Sequence, residues 1–302
     1  MHPKLNALLE EINTVILGKP HELRLALCCL LARGHLLLED LPGMGKTTLS
    51  QTLAAVLGLS HNRVQFTSDI LPSDITGAMV FEQQSATFSF HRGPIFCQVL
   101  LADELNRATP KAQSALLQAM EENQVSVDSD AHALPEPFFV IATQNPVFQN
   151  GTYPLPESQL DRFLMRLSLG YPDAQAERHL LRGDAGRVAL ESVTQVCDAE
   201  AFTRIQNDVA NVHLSESLLD YVQRLVAGSR EPELCELGLS PRGAMYLVRA
   251  AQAWALLHGR DHVLPEDVQA VFTSVVSHRM IGQGQSGEAA ARKLMAETNV
   301  IQ

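Results

Sequence analysis

The chain of 302 residues carries 34 acidic and 23 basic side chains, a formal net charge of −11. That balance disfavours a sequence-independent grip on nucleic acid unless the cations gather in one patch, and no such patch is visible along the sequence. No run reaches ~18 consecutive apolar residues, and Met1-His2-Pro3-Lys4-Leu5 opens no leader-like pattern, so the expectation is a soluble, cytoplasmic protein without membrane insertion. Five cysteines, at 28, 29, 97, 197 and 235, form no C-x-x-C and read as reduced, small apolar residues.

Leu5, Leu8, Leu9, Ile12 and Ile16 recur at helical spacing, Gly18-Lys19-Pro20 is a turn, and Leu23, Leu27, Leu30 and Leu31 predict a second helix. Next, the apolar run Leu36-Leu37-Leu38 enters Glu39-Asp40-Leu41-Pro42 and then Gly43-Met44-Gly45-Lys46-Thr47-Thr48, before a helical pattern through Leu49, Leu53, Val56 and Leu57. This order predicts a strand, a phosphate-cradling loop and a helix. The backbone N–H groups from Gly43 to Thr48 would face an anion, Lys46 would reach the β and γ phosphates, and the Thr47 hydroxyl would ligate Mg²⁺. Asp40 stands where the motif has its first glycine; a carboxylate there would repel phosphate, so it is expected to point away. With this loop following, the corner at Val15-Ile16-Leu17-Gly18 reads either as ordinary core packing or as an apolar wall, through Ile16, against adenine.

Val64-Gln65-Phe66 reads as a short strand, followed by the turn-rich 67–75. Met79-Val80-Phe81 and Thr87-Phe88-Ser89-Phe90 flank a polar stretch and predict an inserted β-hairpin, packed or touching a partner. Val99-Leu100-Leu101-Ala102-Asp103-Glu104 is a buried strand ending in two carboxylates. Successive strand residues point opposite ways, so Asp103 is assigned to the Mg²⁺ shell through water and Glu104 to polarising the attacking water. Thr109-Pro110 opens a helix, and Val125-Ser126-Val127-Asp128 starts a second candidate hairpin. Phe138 to Ala142 forms a third buried strand, leading to Asn145 as a γ-phosphate sensor or, with Pro146, as a turn. Arg162 falls in a short helix ahead of a last strand at Leu167-Ser168-Leu169. Beyond Asp173 the pattern is helical, with a connector at 183–200; Ser240-Pro241-Arg242 places Arg242 in a first helical turn, where a cation opposes the dipole unless an anion is near. The segment from Gly282 to Gly287 is expected to be flexible.

In this order the motifs resemble those of AAA+ ATPases, and more narrowly the MoxR family, in the branch with a hairpin inserted in helix 2. The likeness is carried by Leu38-Glu39-Asp40-Leu41-Pro42-Gly43-Met44-Gly45-Lys46-Thr47, Leu101-Ala102-Asp103-Glu104-Leu105-Asn106-Arg107-Ala108, Ser114-Ala115-Leu116-Leu117-Gln118-Ala119-Met120-Glu121-Glu122, Ala142-Thr143-Gln144-Asn145-Pro146 and Leu155-Pro156-Glu157-Ser158-Gln159-Leu160-Asp161-Arg162-Phe163. An acidic residue at Asp40 is usual in that family. The resemblance implies an α/β P-loop core with a five-stranded parallel sheet over 1–172, an all-α lid over 173–302, and ATP with Mg²⁺ bound between subunits of a homo-oligomeric, commonly hexameric ring. On it, Arg162 is an arginine finger reaching a neighbour, Arg242 a second sensor closing the lid on its own subunit's nucleotide, and Arg107 a further residue facing the neighbour. It also implies a chaperone-like motor, with a von Willebrand factor A partner, that matures client proteins or inserts their metal cofactors. Two other readings stay open: a motor on nucleic acid, and a nucleotide-gated scaffold without turnover.

Overall fold

The computed structural model describes residues 3–128, 130–145, 151–182, 190 and 192–300. Helices α1 (Pro3–Val15) and α2 (Pro20–Leu31) lead into strand β1 (His35–Glu39), followed by α3 (Lys46–Val56) and β2 (His61–Gln65). The short α4 (Pro72–Thr76) precedes a hairpin of β3 (Gly77–Glu82) and β4 (Thr87–Arg92). Then come β5 (Val99–Asp103), a short 3₁₀ turn at Leu105–Arg107 and α5 (Pro110–Glu122), which Thr109 caps by accepting from the Ala112 N–H. A second hairpin, β6 (Gln124–Val127) with β7 (Asp130–Ala133), leads to β8 (Phe139–Gln144), α6 (Glu157–Leu160) and β9 (Phe163–Leu167).

Five strands form one parallel sheet in the order β2-β5-β8-β1-β9. Alternation sends their side chains into two cores. Leu36, Leu38, Val99, Leu101, Phe139 and Ile141 join the cluster under α1, α2 and α3, whereas Leu37, Leu100, Ala102, Val140 and Ala142 face α5. Both faces are covered at β1, β5 and β8, which is why these three read as apolar runs, whereas the edge strand β2 is polar. The last strand begins at Phe163, four residues before the expected Leu167, because Phe163, Leu164 and Met165 are buried and Phe163 and Met165 pair with β1. Arg162 therefore lies in the turn between α6 and β9, not in a helix.

The C-terminal region comprises α7 (Ala174–Arg182), α8 (Ala199–Val209), α9 (Glu216–Gly228), α10 (Pro241–Leu257), α11 (Pro265–Val276) and α12 (Gly287–Glu297). Of the expected connector at 183–200, residues 183–189 and 191 lie outside the described residues, as does Pro146. The region also contains a small antiparallel ribbon, β10 (Cys235–Leu237) with β11 (Ile281–Gly282), that the sequence reading did not foresee. Within the stretch from Gly282 to Gly287, expected to be flexible, Gly282 pairs in this ribbon and Ser286 caps α12 by accepting from the Ala289 N–H. This region shares the first core with the sheet, and the Cys28 thiol donates to the Ala250 carbonyl at 3.2 Å.

Candidate active site

The loop after β1 is shaped by two glycines in the left-handed region, Gly43 at φ +87 and Gly45 at φ +83. A Cβ at either would meet nothing within 4 Å, so the backbone torsion calls for glycine here and the concavity above the loop stays open. Gly45 caps α3, whose first N–H groups have no helical partner and suit an anion. The Asp40 carboxylate is turned away, accepting from Ser168 Oγ (2.7 Å) and from the backbone N–H groups of Leu169 (2.6 Å) and Gly170 (3.1 Å). It anchors the loop to the chain beyond β9. Lys46 donates to the Asp40 carbonyl at 2.7 Å and to Asn145 Oδ1 at 3.5 Å. Burial lowers its pKa, and the charges of Asp40, Asp103 and Glu104 oppose that shift.

The two acids at the end of β5 do point to different partners. Asp103 Oδ1 accepts from Thr143 Oγ1 (2.6 Å) and its Oδ2 pairs with Arg63 (2.7 Å). Glu104, at φ 57 in the left-handed region, turns the chain out of the sheet and accepts from Gln65 (2.8 Å), Arg107 (2.9 Å) and Asn145 (3.1 Å). A non-glycine residue held there is strained, and such strain gathers at functional sites. Thr143 fixes both acids: its hydroxyl donates to Asp103 and accepts the Glu104 N–H at 2.8 Å.

A cleft of about 390 Å³ is lined by Gly43, Gly45, Lys46, Thr47, Thr48, Asp103, Glu104 and Asn145, with Arg63 and Gln65 from β2. The sequence reading missed Arg63, Gln65 and Thr143. Arg63 and Gln65 are two apart on a strand and so share a face, the one signal that could have found them. Met44 stands in the loop but does not line the cleft, and Ile16, half-buried, packs on the first core. The Ile16 corner stays near the loop's anchor, since Lys19 donates to the Tyr171 carbonyl at 2.6 Å.

Arg162 and Arg242 lie elsewhere, at a second cavity of about 350 Å³. Arg162 pairs with Glu121 Oε2 (2.9 Å) and donates to the Leu117 carbonyl (2.6 Å), while Arg242 pairs with Glu121 Oε1 (2.5 Å). Arg242, expected to close over the nucleotide of its own subunit, faces the same cavity as Arg162 and does not line the phosphate-loop cleft. Ser240 caps α10 and also donates to Asp161 (3.0 Å), which fixes the start of this helix beside the Arg162 turn. Arg33 and Arg249 line the cavity too, so arginines scattered through the sequence form the basic patch that no linear stretch displayed.

A doubly covered parallel sheet with a glycine loop, lysine, paired acids and a polar strand end at its carboxyl edge defines a P-loop nucleoside triphosphatase of the AAA+ class. Residues 35–165 match the family described as ATPase family associated with various cellular activities (AAA), and residues 228–298 match the AAA lid domain. The chain is 44% identical to the uncharacterized protein YeaC of Bacillus subtilis, over 99% of this chain and 96% of that one. It is 39% identical to Chaperone MoxR1 of Mycobacterium tuberculosis (90% and 74%) and 34% to Protein MoxR of Methylorubrum extorquens (89% and 85%). A crystal structure of a candidate ATPase from Cytophaga hutchinsonii superposes with a TM-score of 0.91 at 36% identity, covering 99% of this chain and 95% of that chain. The chain belongs to the MoxR family of AAA+ ATPases.

Proposed function

We propose that the protein hydrolyses ATP in the phosphate-loop cleft as a ring-forming, chaperone-like motor, with 1–172 as nucleotide-binding core and 173–302 as lid. The observation that carries this reading is the Thr143 hydroxyl joining Asp103 to the Glu104 backbone in one cleft with Lys46 and Asn145. The cleft suits a magnesium nucleotide: the cradle is open above Gly43 and Gly45, Lys46 is aimed into it, and Thr47 stands with Asp103 on its wall. Thr47 would ligate the cation directly. Asp103, both of whose oxygens already accept hydrogen bonds, would reach it through water. The cation's chemistry there is neutralisation of phosphate oxygens.

Glu104 is the base that polarises the attacking water, and Asn145, donating to Glu104, orients the γ-phosphate side of that water. Arg162 acts on the nucleotide of a neighbouring copy, and Arg242 works beside it from the same cavity. A hexameric ring, a von Willebrand factor A partner and client maturation or metal-cofactor insertion extend this reading on the strength of the family. A nucleic-acid substrate, the competing reading, predicts salt-dependent retention on immobilised DNA. The test of the core proposal is Glu104→Gln: phosphate release should fall at least about 100-fold while a fluorescent ATP analogue still binds. Unchanged hydrolysis would remove Glu104 from its role.

A further inference from the structure

We propose that Glu121 is the internal occupant of an anion site, holding Arg162 and Arg242 until the terminal phosphate of a nucleotide carried by a second copy of this chain displaces it. The inference rests on the reading of Arg162 as a cation acting across an interface.

Glu121 divides its two oxygens between two arginines, so neither guanidinium has a two-pronged carboxylate partner. Arg162 Nε remains buried with no hydrogen-bond partner. A phosphoryl group, with three oxygens spread tetrahedrally, can engage both cations at once. The pair is also poorly placed for the helices that bear it. Glu121 sits in the last turn of α5, at the negative end of that helix, and Arg242 sits in the first turn of α10, at its positive end. Each charge opposes its own helix dipole, and the contact between them offsets the two penalties locally. An anion arriving at the start of α10 removes the penalty on Arg242 and releases Glu121 to solvent.

The cavity as a whole is short of negative charge. Arg33, Arg162, Arg242 and Arg249 line it against only Glu121 and Glu136, within a chain of net charge −11. Arg249, seven residues after Arg242 and so on the same face of α10, is exposed and has no ion pair among the described residues. Asp161 couples the two cations mechanically: it accepts from Ser240, which precedes Arg242 by two residues, and from the buried Arg279 (2.8 Å). Arg162 and Arg242 are thus presented together, and the single charge of Glu121 is shared between them while no loaded neighbour is docked.

The test uses the full chain. Phosphate release and sedimentation with ATP are followed against protein concentration for wild type, Glu121→Gln, Glu121→Asp, Arg162→Ala and the Glu121→Gln/Arg162→Ala double variant. Glu121→Gln should lower the midpoints of turnover and of ATP-dependent assembly about fivefold, the effect of removing two partly exposed competing ion pairs. Glu121→Asp, which keeps the charge but spans the two arginines less well, should fall between. In the Arg162→Ala background assembly is the remaining readout, and the shift should shrink there, because only Arg242 still pairs with Glu121. An unmoved or raised midpoint in Glu121→Gln with a defective Arg162→Ala, or a shift that persists undiminished in the double variant, overturns the displacement alone. Wild-type turnover by Arg162→Ala removes the interfacial reading, and the proposal with it.

Discussion

Thr143 shows how much one buried hydroxyl can organise. It serves both acids of the cleft, donating to Asp103 and accepting from the Glu104 N–H, and it has no exposure to water. Thr143→Val keeps the shape and leaves that N–H and the Asp103 oxygen without their partner. We expect a loss of about 1–3 kcal/mol in urea unfolding and a kcat reduced about tenfold, with KM for ATP nearly unchanged; phosphate-release kinetics would read this. His35 is a second such residue. Its Nδ1 accepts the Val140 N–H at 3.0 Å, so its Nε2 carries the proton donated to the Met120 carbonyl at 3.2 Å. Burial lowers its pKa to about 4, and burial together with the charge of Arg279 holds His278 well below 6.5. The unfolded chain binds these protons near pH 6.5, the folded chain only near pH 4 or below, so acidification favours unfolding. Stability should be level above about pH 7 and fall between pH 6.5 and 4, by about 3 kcal/mol for His35 alone. A urea midpoint flat through that window would show that the imidazole is charged in the native state.

At the scale of elements, several caps are legible in the chain. Thr109-Pro110 and Ser240-Pro241 both start helices as their residue types require, and Ser240 accepts from the Gly243 N–H at 3.0 Å. The second job of Ser240 is not legible, because its partner Asp161 lies 79 positions away. Ser240→Ala should therefore cost more than a surface cap, about 2 kcal/mol, measured by thermal or urea unfolding. A cost near zero would mean that α10 is held by its packing alone. The β3–β4 hairpin was expected from its alternation, and it forms with Phe81 and Phe88 in edge contact at 5.3 Å, both largely exposed. The ribbon β10–β11 escaped notice for a plain reason: strands of two and three residues, far apart in the chain, carry no periodicity.

At the scale of the molecule, the phosphate-loop cleft and the Arg162–Arg242 cavity are separate, which fits catalysis shared between copies of the chain. Arg162→Ala should abolish turnover, and mixing it with inactive Glu104→Gln subunits should restore part of it, since each supplies what the other lacks. Activity independent of mixing, in a phosphate-release assay, would argue against an interface. The sequence by itself indicated the strands, the loop and Lys46, Thr47, Asp103, Glu104 and Asn145 as candidates, which one cleft gathers, and its family resemblance implied the parallel sheet. Those signals are local: apolar runs set strands, glycines set the loop, and strand ends place polar groups at one edge of the sheet. Only the tertiary structure decided that Arg63 and Gln65 hold the two acids, and that Arg242 meets Arg162 on Glu121 away from the loop. These contacts join polar and charged side chains from distant segments. What brings them together is the packing of the strands, turn and helices that carry them, and no spacing along the chain encodes it.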